Sequence, residues 1–191
     1  MTFSAVLLAG GESRRMGRDK ATIEIEGQPL WKRQLELLRA LGPKKVFVSA
    51  RTSPDWLPDN VELLLDDPPS RGPLSGLTKA LSLIRTTHLI ALAIDMPFVN
   101  RDQLRQLLSS ATAGCGVVPI VGEQAEPLAA IYPVEAASDF AAALSGPDFS
   151  LQRIVRQLIA NQKIRSVSIA EANAPLYRSV NTPGDISEFN A

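Results

Sequence analysis

Short apolar segments alternate with helix-like patterns along most of the chain, and this order restricts the possible folds more than any other feature. Leucines at helical spacing predict helices over residues 29–41 and 73–84, and a third after Asn100, which can cap it. The predicted strands are residues 3–8, 45–49, 61–65, 88–94 and 116–120. Because parallel strands need a long crossover connection, usually a helix, this alternation favours βαβ units. We therefore expect an α/β fold with three layers and a mainly parallel central sheet.

The last third of the chain is less regular. Residues 127–132 predict a further strand, with antiparallel pairing as an option, and residues 164–169 predict a last one. Helices are predicted over 150–160 and, as a short closing element, over 183–189. The sequence shows no internal repeat, low-complexity tract or long linker, so we expect one domain over residues 1–191.

Composition excludes several classes of function. The 191 residues carry 20 basic and 20 acidic side chains, so there is no large basic field for a nucleic-acid partner. No apolar stretch approaches the roughly 18 residues of a membrane span, and we expect no membrane partner and a cytoplasmic location. The single cysteine, Cys115, excludes a disulfide framework and a cysteine-rich zinc site. The single histidine, His88, favours a structural or surface role over catalysis.

A glycine-rich loop follows the first predicted strand, where residues 9–20 read AGGESRRMGRDK. Glycines such as Gly10 and Gly11 let the backbone approach a phosphate closely and point its N–H groups at the phosphate. Arg15 and Lys20 can neutralise phosphate oxygens. The loop matches neither G-x-x-x-x-G-K-[ST] nor G-x-G-x-x-G. Its glycines and cations together nevertheless predict a phosphate-binding loop.

Carboxylates follow two other predicted strands. Asp95 comes directly after the most apolar strand, where it can hold a hard cation such as Mg²⁺. Asp66 and Asp67 end the third strand, and one of them could contact a base or ribose, with a plain turn role as the alternative. Since ligands bind outside the carboxyl ends of parallel strands, these residues and the glycine-rich loop predict one shared site.

The opening segment, LLAGGESRRMGRDK over residues 7–20, resembles the opening motif of nucleotidyltransferases with the GT-A-like, Rossmann-type fold. Within that class the chain most resembles the MobA family of molybdenum cofactor guanylyltransferases. The resemblance continues, in the family's order, through four further segments. They are Gly72-Pro73-Leu74-Ser75-Gly76, Asp95-Met96-Pro97-Phe98, Glu126-Pro127-Leu128-Ala129 and Val180-Asn181-Thr182-Pro183.

This resemblance implies Mg²⁺-dependent transfer of GMP from GTP to molybdopterin, with release of pyrophosphate. It also implies that proteins which deliver molybdopterin or receive the product could be partners. The implied nucleotide-binding residues are Leu8, Ala9, Gly10, Gly11, Lys20, Asp66 and Asp95. Arg15, Lys20 and Asp95 are expected to be catalytic, with Asp95 as the metal ligand, and the resemblance places Gly76, Pro97 and Asn181 on the acceptor side.

The sequence departs from the family pattern at two positions, and alternatives stay open. Arg51 stands where the family often has asparagine, and Ser179 replaces the first asparagine of Asn-x-Asn-Thr-Pro. One alternative keeps the chemistry but uses CTP with molybdopterin, or another NTP with a sugar or alcohol phosphate. Gly10-Gly11 favours guanylyl transfer, because cytidylyl-transferring relatives more often have alanine-alanine-glycine there. A second alternative is a non-catalytic nucleotide-binding module.

Overall fold

The core of the protein is a sheet of short, apolar strands. The computed structural model describes residues 1–10, 19–181 and 185. The strands are β1 (Phe3–Leu8), β2 (Glu24–Ile25), β3 (Gln28–Pro29), β4 (Val46–Ala50), β5 (Glu62–Leu65), β6 (His88–Ala93), β7 (Gly116–Val121), β8 (Gln124–Ala125), β9 (Ala129–Pro133) and β10 (Ile164–Ser168). The main sheet has the order β10-β7-β9-β6-β1-β4-β5, with β8 paired to β7, while β2 and β3 form a separate hairpin.

Helices cover both faces of this sheet. They are α1 (Leu30–Arg39), α2 (Pro73–Leu83), α3 (Arg101–Ser110), α4 (Ala137–Leu144) and α5 (Leu151–Ala160), with 3₁₀ helices at Lys20–Thr22, Val134–Ala136 and Glu171–Tyr177. Alternate residues of β1 point to opposite faces, so Leu7 packs with α1 and α3 while Val6 packs with α2, α4 and α5. Every residue of β6 is buried, as expected for a central strand between two helical layers.

Most of the predicted architecture is confirmed, including the three layers and the mainly parallel sheet. Strand β9 is antiparallel to both β6 and β7, which was one option for residues 127–132. The elements that were not predicted include the β2–β3 hairpin, the short strand β8 and helix α4. The closing helix predicted over 183–189 lies, apart from Asp185, outside the described residues.

One edge of the sheet collects the strand ends that the sequence analysis singled out. Strands β6, β1, β4 and β5 are adjacent and parallel to one another, so all of them end at this edge, which we call the C-terminal edge. The antiparallel strand β9 begins there, and the Leu128 carbonyl accepts a hydrogen bond from the Ala93 N–H. Within the described part of the chain, no helix is long and apolar enough to cross a membrane.

Candidate active site

The C-terminal edge contains a small cavity that brings the predicted residues together. Its volume is about 80 Å³. Its walls include six of the predicted nucleotide-binding residues, Leu8, Ala9, Gly10, Lys20, Asp66 and Asp95. A second pocket, of about 390 Å³, shares Ala9 and Gly10 with it and extends toward Arg51 and Trp56. Gly11 and Arg15, which were predicted for the same site, lie outside the described residues.

Lys20 is held by the residue that precedes it. Asp19 caps the 3₁₀ helix Lys20–Thr22, and its Oδ1 accepts a hydrogen bond of 3.0 Å from the Ala21 N–H. Its Oδ2 accepts a hydrogen bond of 2.9 Å from the indole Nε1 of Trp56. Trp56 in turn stacks on Trp31 of α1, with ring centroids 5.6 Å apart. Asp19 and Trp56 therefore fix the start of the segment that carries Lys20.

The Lys20 ammonium group joins two distant parts of the chain. Its Nζ donates to Asp95 Oδ2 at 3.0 Å and to Asn181 Oδ1 at 2.8 Å. The Lys20 and Asp95 side chains are only 14% and 25% exposed. Nearby, the Val180 N–H donates to the Asp95 carbonyl at 2.7 Å, which docks the segment before Asn181 against the same turn. The predicted acceptor residue Asn181 thus lies beside the predicted catalytic pair.

Asp95 has the chemistry of a magnesium ligand that relies on its substrate for further ligands. Its Oδ2 accepts from Lys20, whereas no described residue donates a hydrogen bond to its Oδ1. Mg²⁺ commonly binds through one or two carboxylates, with substrate phosphates and waters completing the octahedron. Among the described residues, no cluster of three or more His, Cys, Asp or Glu side chains could hold a metal alone. The donor set therefore fits a metal that enters with a nucleotide.

The two neighbouring aspartates after β5 have different surroundings. Asp66 lines the 80 Å³ cavity, and its Oδ2 accepts a 2.6 Å hydrogen bond from the Ser70 hydroxyl. Asp67 is exposed and forms an ion pair of 3.0 Å with Lys79 on the outer side of α2. Of the two candidates for contact with a base or ribose, Asp66 is the one placed toward the cavity.

The other two predicted acceptor residues are Gly76 and Pro97, and their contact with an acceptor stays a prediction. Gly76 lies in α2 against β1 and β4, where a Cβ atom would come within 2.2 Å of the Ser49 hydroxyl. The close approach of the helix to the sheet thus accounts for glycine at this position. The Pro97 carbonyl accepts a hydrogen bond of 3.2 Å from Arg33 Nε.

Several residues that shape the site were missed by the sequence analysis. Asp19 and Trp56 support Lys20, and Gln34 of α1 donates to carbonyl groups on either side of Asp95. The available signal for Gln34 was a polar residue on the buried stripe of a helix, between Leu30 and Leu38. Asp19 offered the weaker signal of a capping residue.

Glu126 is a further carboxyl group, and it begins the segment Glu126-Pro127-Leu128-Ala129 that carries part of the family resemblance. The structure places it half-buried just before β9, and burial raises the pKa of the Glu126 carboxyl above its ordinary value. The pKa of the Tyr177 hydroxyl is raised to about 12, mainly by burial and to a smaller extent by the negative charge of Glu126. The Tyr177 hydroxyl donates to Gln103 Oε1 at 3.3 Å. A carboxyl group whose charged form is disfavoured by burial therefore lies next to the C-terminal edge.

His88, by contrast, takes no part in this site. It lies at the start of β6, at the opposite edge of the sheet, and is fully buried. Its Nε2 is 3.0 Å from the Thr112 carbonyl and its Nδ1 is 3.0 Å from the Thr87 hydroxyl. The sequence favoured a structural or surface role, and the buried, hydrogen-bonded ring has the structural one.

A mainly parallel sheet with helices on both faces, and a cavity lined by Gly10, Lys20 and Asp95 at its strand ends, are typical of nucleotide-binding α/β proteins. Comparison with known proteins specifies the class further. A family model described as the MobA-like NTP transferase domain matches residues 5–164. The chain belongs to this family, and the predicted nucleotidyltransferase class is confirmed.

Individual relatives agree with this assignment. The chain is 34% identical to the probable molybdenum cofactor guanylyltransferase of Opitutus terrae, over 96% of this chain and 92% of that protein. Its fold matches the structure of molybdopterin-guanine dinucleotide biosynthesis protein A from Archaeoglobus fulgidus, with a TM-score of 0.77 and 23% identity, covering 98% and 96% of the two chains. It also matches a 4-diphosphocytidyl-2C-methyl-D-erythritol synthase from Anaerococcus prevotii, with a TM-score of 0.75, 10% identity and coverage of 99% and 94%. The fold is therefore shared by proteins named for different nucleotides.

Proposed function

We propose that this protein transfers GMP from GTP to molybdopterin carrying molybdenum, forming the guanine dinucleotide of the cofactor and releasing pyrophosphate. One observation carries the proposal. Lys20 lies between Asp95 and Asn181 at the C-terminal edge, in the wall of the cavity beside the ends of β1, β5 and β6, with hydrogen bonds of 3.0 and 2.8 Å. The relative from Opitutus terrae, named a probable molybdenum cofactor guanylyltransferase, supports this choice of substrates.

The chemistry needs little proton transfer. An oxygen of the terminal phosphate of molybdopterin attacks the α-phosphorus of GTP and forms a new P–O bond. The bond from that phosphorus to the oxygen bridging to the β-phosphate breaks, and this oxygen leaves with pyrophosphate. Because the nucleophile is already an anion, catalysis consists of aligning two anions and offsetting their repulsion. A site without histidine can perform this task.

Different residues of this chain have different roles in the proposed reaction. The backbone of Leu8, Ala9 and Gly10 contacts the nucleotide, and Asp66 contacts its nucleoside. Lys20 neutralises phosphate oxygens, and Asn181 orients Lys20 from the acceptor side. Gly11 and Arg15, which belong to the same glycine-rich loop, are proposed to contact the phosphates as well.

Asp95 would hold Mg²⁺, which neutralises charge on the phosphates when it is bound. The contact between Lys20 and Asp95 keeps one carboxylate oxygen oriented and leaves the other for a ligand. We also propose a cytoplasmic location and contact with proteins that deliver molybdopterin or accept the product. These two statements are supported by the sequence analysis and the proposed substrates.

The direct test is product formation by the purified protein with Mg²⁺, GTP and molybdopterin carrying molybdenum. We expect the guanine dinucleotide and pyrophosphate to appear in equal amounts. Asp95→Ala should lower kcat/KM by about 10²–10³-fold, because such contacts to developing charge are commonly worth that much. Asp67→Ala is the matched control, since Asp67 pairs with Lys79 outside the cavity, and its rate should stay at the wild-type level.

Parallel reactions with CTP, ATP and UTP decide between the alternatives. Faster dinucleotide formation from CTP would replace guanylyl with cytidylyl transfer. Nucleotide binding without pyrophosphate release, under conditions where molybdopterin is bound, would favour a non-catalytic module. Wild-type rates in Asp95→Ala would contradict the role of Asp95.

A further inference from the structure

We propose that Gln34, a buried residue of α1, is a positioning residue that sets the orientation of Asp95. The inference rests on the proposed function, because it concerns the geometry of the same nucleotidyl-transfer site. Gln34 is completely buried, and its side chain points at the turn that follows β6. It contacts neither Lys20 nor the Asp95 carboxylate through a hydrogen bond, so it acts through the backbone of the turn.

The contacts of Gln34 lie on both sides of Asp95. Its Nε2 donates to the Met96 carbonyl at 2.7 Å and is 3.4 Å from the Ala93 carbonyl. A single amide group therefore contacts the peptide unit before Ile94 and the one after Met96, which flank the segment Ile94-Asp95-Met96. Such a contact restrains the direction in which the Asp95 side chain leaves the backbone.

The turn has few strong hydrogen bonds of its own. The Met96 N–H reaches the Ala93 carbonyl at 3.3 Å and the Val99 N–H reaches the Met96 carbonyl at 3.4 Å, both long for backbone hydrogen bonds. The 2.7 Å contact from Gln34 is shorter than either. On the other side of the turn, the Val180 N–H donates to the Asp95 carbonyl at 2.7 Å. Asp95 is thus held between α1 and the segment that carries Asn181.

The stability of the fold does not explain a glutamine at this position. Gln34 Oε1 is buried, and no described residue donates a hydrogen bond to it. The amide cannot turn over to satisfy this oxygen, because the oxygen would then face two carbonyl oxygens. A buried acceptor without a partner destabilises a protein, so an apolar side chain would suit the surrounding core better. What the glutamine adds is the pair of contacts beside Asp95.

Helix α1 also connects this turn with Lys20. Arg33, the neighbour of Gln34, donates to the Pro97 carbonyl at 3.2 Å. At the start of the helix, the Leu30 N–H donates to the Ile23 carbonyl at 2.9 Å, directly after the 3₁₀ helix Lys20–Thr22. The same helix therefore supports both partners of the Lys20–Asp95 ion pair.

Gln34→Met tests the inference, because methionine has a similar shape but donates no hydrogen bond. We expect kcat for nucleotidyl transfer to fall by about 10- to 100-fold, since a small misplacement of a catalytic group has effects of this size. KM for GTP should change by less than about threefold, because the nucleotide contacts at β1 and β5 remain. Hydrogen exchange measured by mass spectrometry should become faster in peptides covering residues 94–99.

Leu38→Ala is the matched control. Leu38 lies one turn further along α1 and is equally buried, so its truncation lowers stability without removing a side-chain hydrogen bond to residues 93–97. At a temperature where both variants are folded, Leu38→Ala should keep the wild-type kcat and the wild-type exchange in residues 94–99. Gln34→Leu serves as a second variant in case methionine disturbs the packing.

Three results would overturn the inference: unchanged exchange in residues 94–99, unchanged kcat in both Gln34 variants, or equal effects in Leu38→Ala. Exchange requires no turnover, so it decides whether Gln34 holds the turn even if the wild-type protein does not act on molybdopterin. In that case the proposed function fails by itself, while the positioning of Asp95 is still decided by the exchange rates.

Discussion

The two ends of strand β6 differ in how their polar groups are satisfied. At its start, His88 is fully buried and each ring nitrogen has a partner within the protein, at the Thr87 hydroxyl and the Thr112 carbonyl. The Thr87 hydroxyl also donates to the Thr2 carbonyl at 2.7 Å, and the Ser4 and Thr86 hydroxyls are 3.0 Å apart. This end of the strand is a closed hydrogen-bond network.

Directly after the other end of β6, the polar groups have fewer hydrogen-bond partners within the described part of the protein. Asp95 is 25% exposed, and among the described residues only Lys20 and the Val180 N–H reach its polar atoms. Beneath it, Gln34 leaves a buried oxygen without a partner. Polar groups at the first end stabilise the fold, whereas those at the second retain hydrogen-bonding and charge capacity for a ligand. Substitutions at the two ends should therefore affect different measurements.

The largest effect is expected at Lys20. Lys20→Ala removes the cation between Asp95 and Asn181 and should raise the activation barrier by about 3–4 kcal/mol, by analogy with other contacts to developing charge. Steady-state kinetics of pyrophosphate release measure it as a loss in kcat/KM. Lys79→Ala removes a lysine that is paired with Asp67 outside the cavity, and it should react at the wild-type rate. Equal losses of kcat/KM in both variants would show that the loss comes from the change in net charge and not from the position of Lys20.

At the closed end, His88→Leu should reduce stability rather than activity. The substitution preserves much of the side-chain volume but removes the contacts of both ring nitrogens, with the Thr87 hydroxyl and the Thr112 carbonyl. We expect the free energy of unfolding to fall by about 1–3 kcal/mol, measured by urea denaturation. The kcat/KM of the folded protein should not change. A selective loss of kcat/KM would mean that the two ends are not independent.

The adjacent residues Asp66 and Asp67 offer a finer comparison. Asp66→Asn should weaken GTP binding about tenfold, because it removes a charged acceptor from the cavity wall. Asp67→Asn should change the dissociation constant by less than about twofold, since its ion pair with Lys79 is exposed. Isothermal titration calorimetry gives both constants. Similar values for the two variants would remove Asp66 from the nucleotide site.

The smallest effect is expected from Glu126→Gln, and its size depends on pH. Burial raises the pKa of Glu126 in the native state, so the native state binds a proton more readily than the unfolded chain does. The carboxylate therefore destabilises the fold increasingly as pH rises from the unfolded-state pKa through the native one. Glu126→Gln should raise the melting temperature at pH 7, and this gain should disappear in acid below the unfolded-state pKa. A lower melting temperature at pH 7 would contradict this account.

The apolar strands and the residues that follow them could be predicted from the sequence because both are local features. Six successive apolar residues after His88 imply a buried strand, and a carboxylate placed directly after it must lie at a sheet edge. The glycine-rich loop after β1 could be found in the same way. Helix α4 was missed, because its sequence ASDFAAAL has little periodic contrast. Its place depends on tertiary contact, such as the edge-to-face packing of Phe140 on Tyr132 at 5.0 Å.

The details of the site depend on contacts between distant parts of the chain, which a single sequence does not specify. Asn181 is 161 positions from Lys20, and only folding brings them within 2.8 Å. Gln34 could be recognised in the sequence as a polar residue on an apolar stripe, but not as a partner of the Asp95 turn. The resemblance to the MobA family pointed to Asn181 by motif, while its contact with Lys20 came from the structure.

The central claim is that the C-terminal edge of the sheet binds a nucleoside triphosphate through Asp95. The most direct measurement is the melting temperature of the wild-type protein and Asp95→Ala with Mg²⁺ and each of GTP, CTP, ATP and UTP. At 100 times its dissociation constant a ligand adds about 2.7 kcal/mol of stability. We predict selective stabilisation of the wild type by GTP and a clearly smaller shift in Asp95→Ala. Equal shifts in both proteins, or no shift with any nucleotide, would contradict the account.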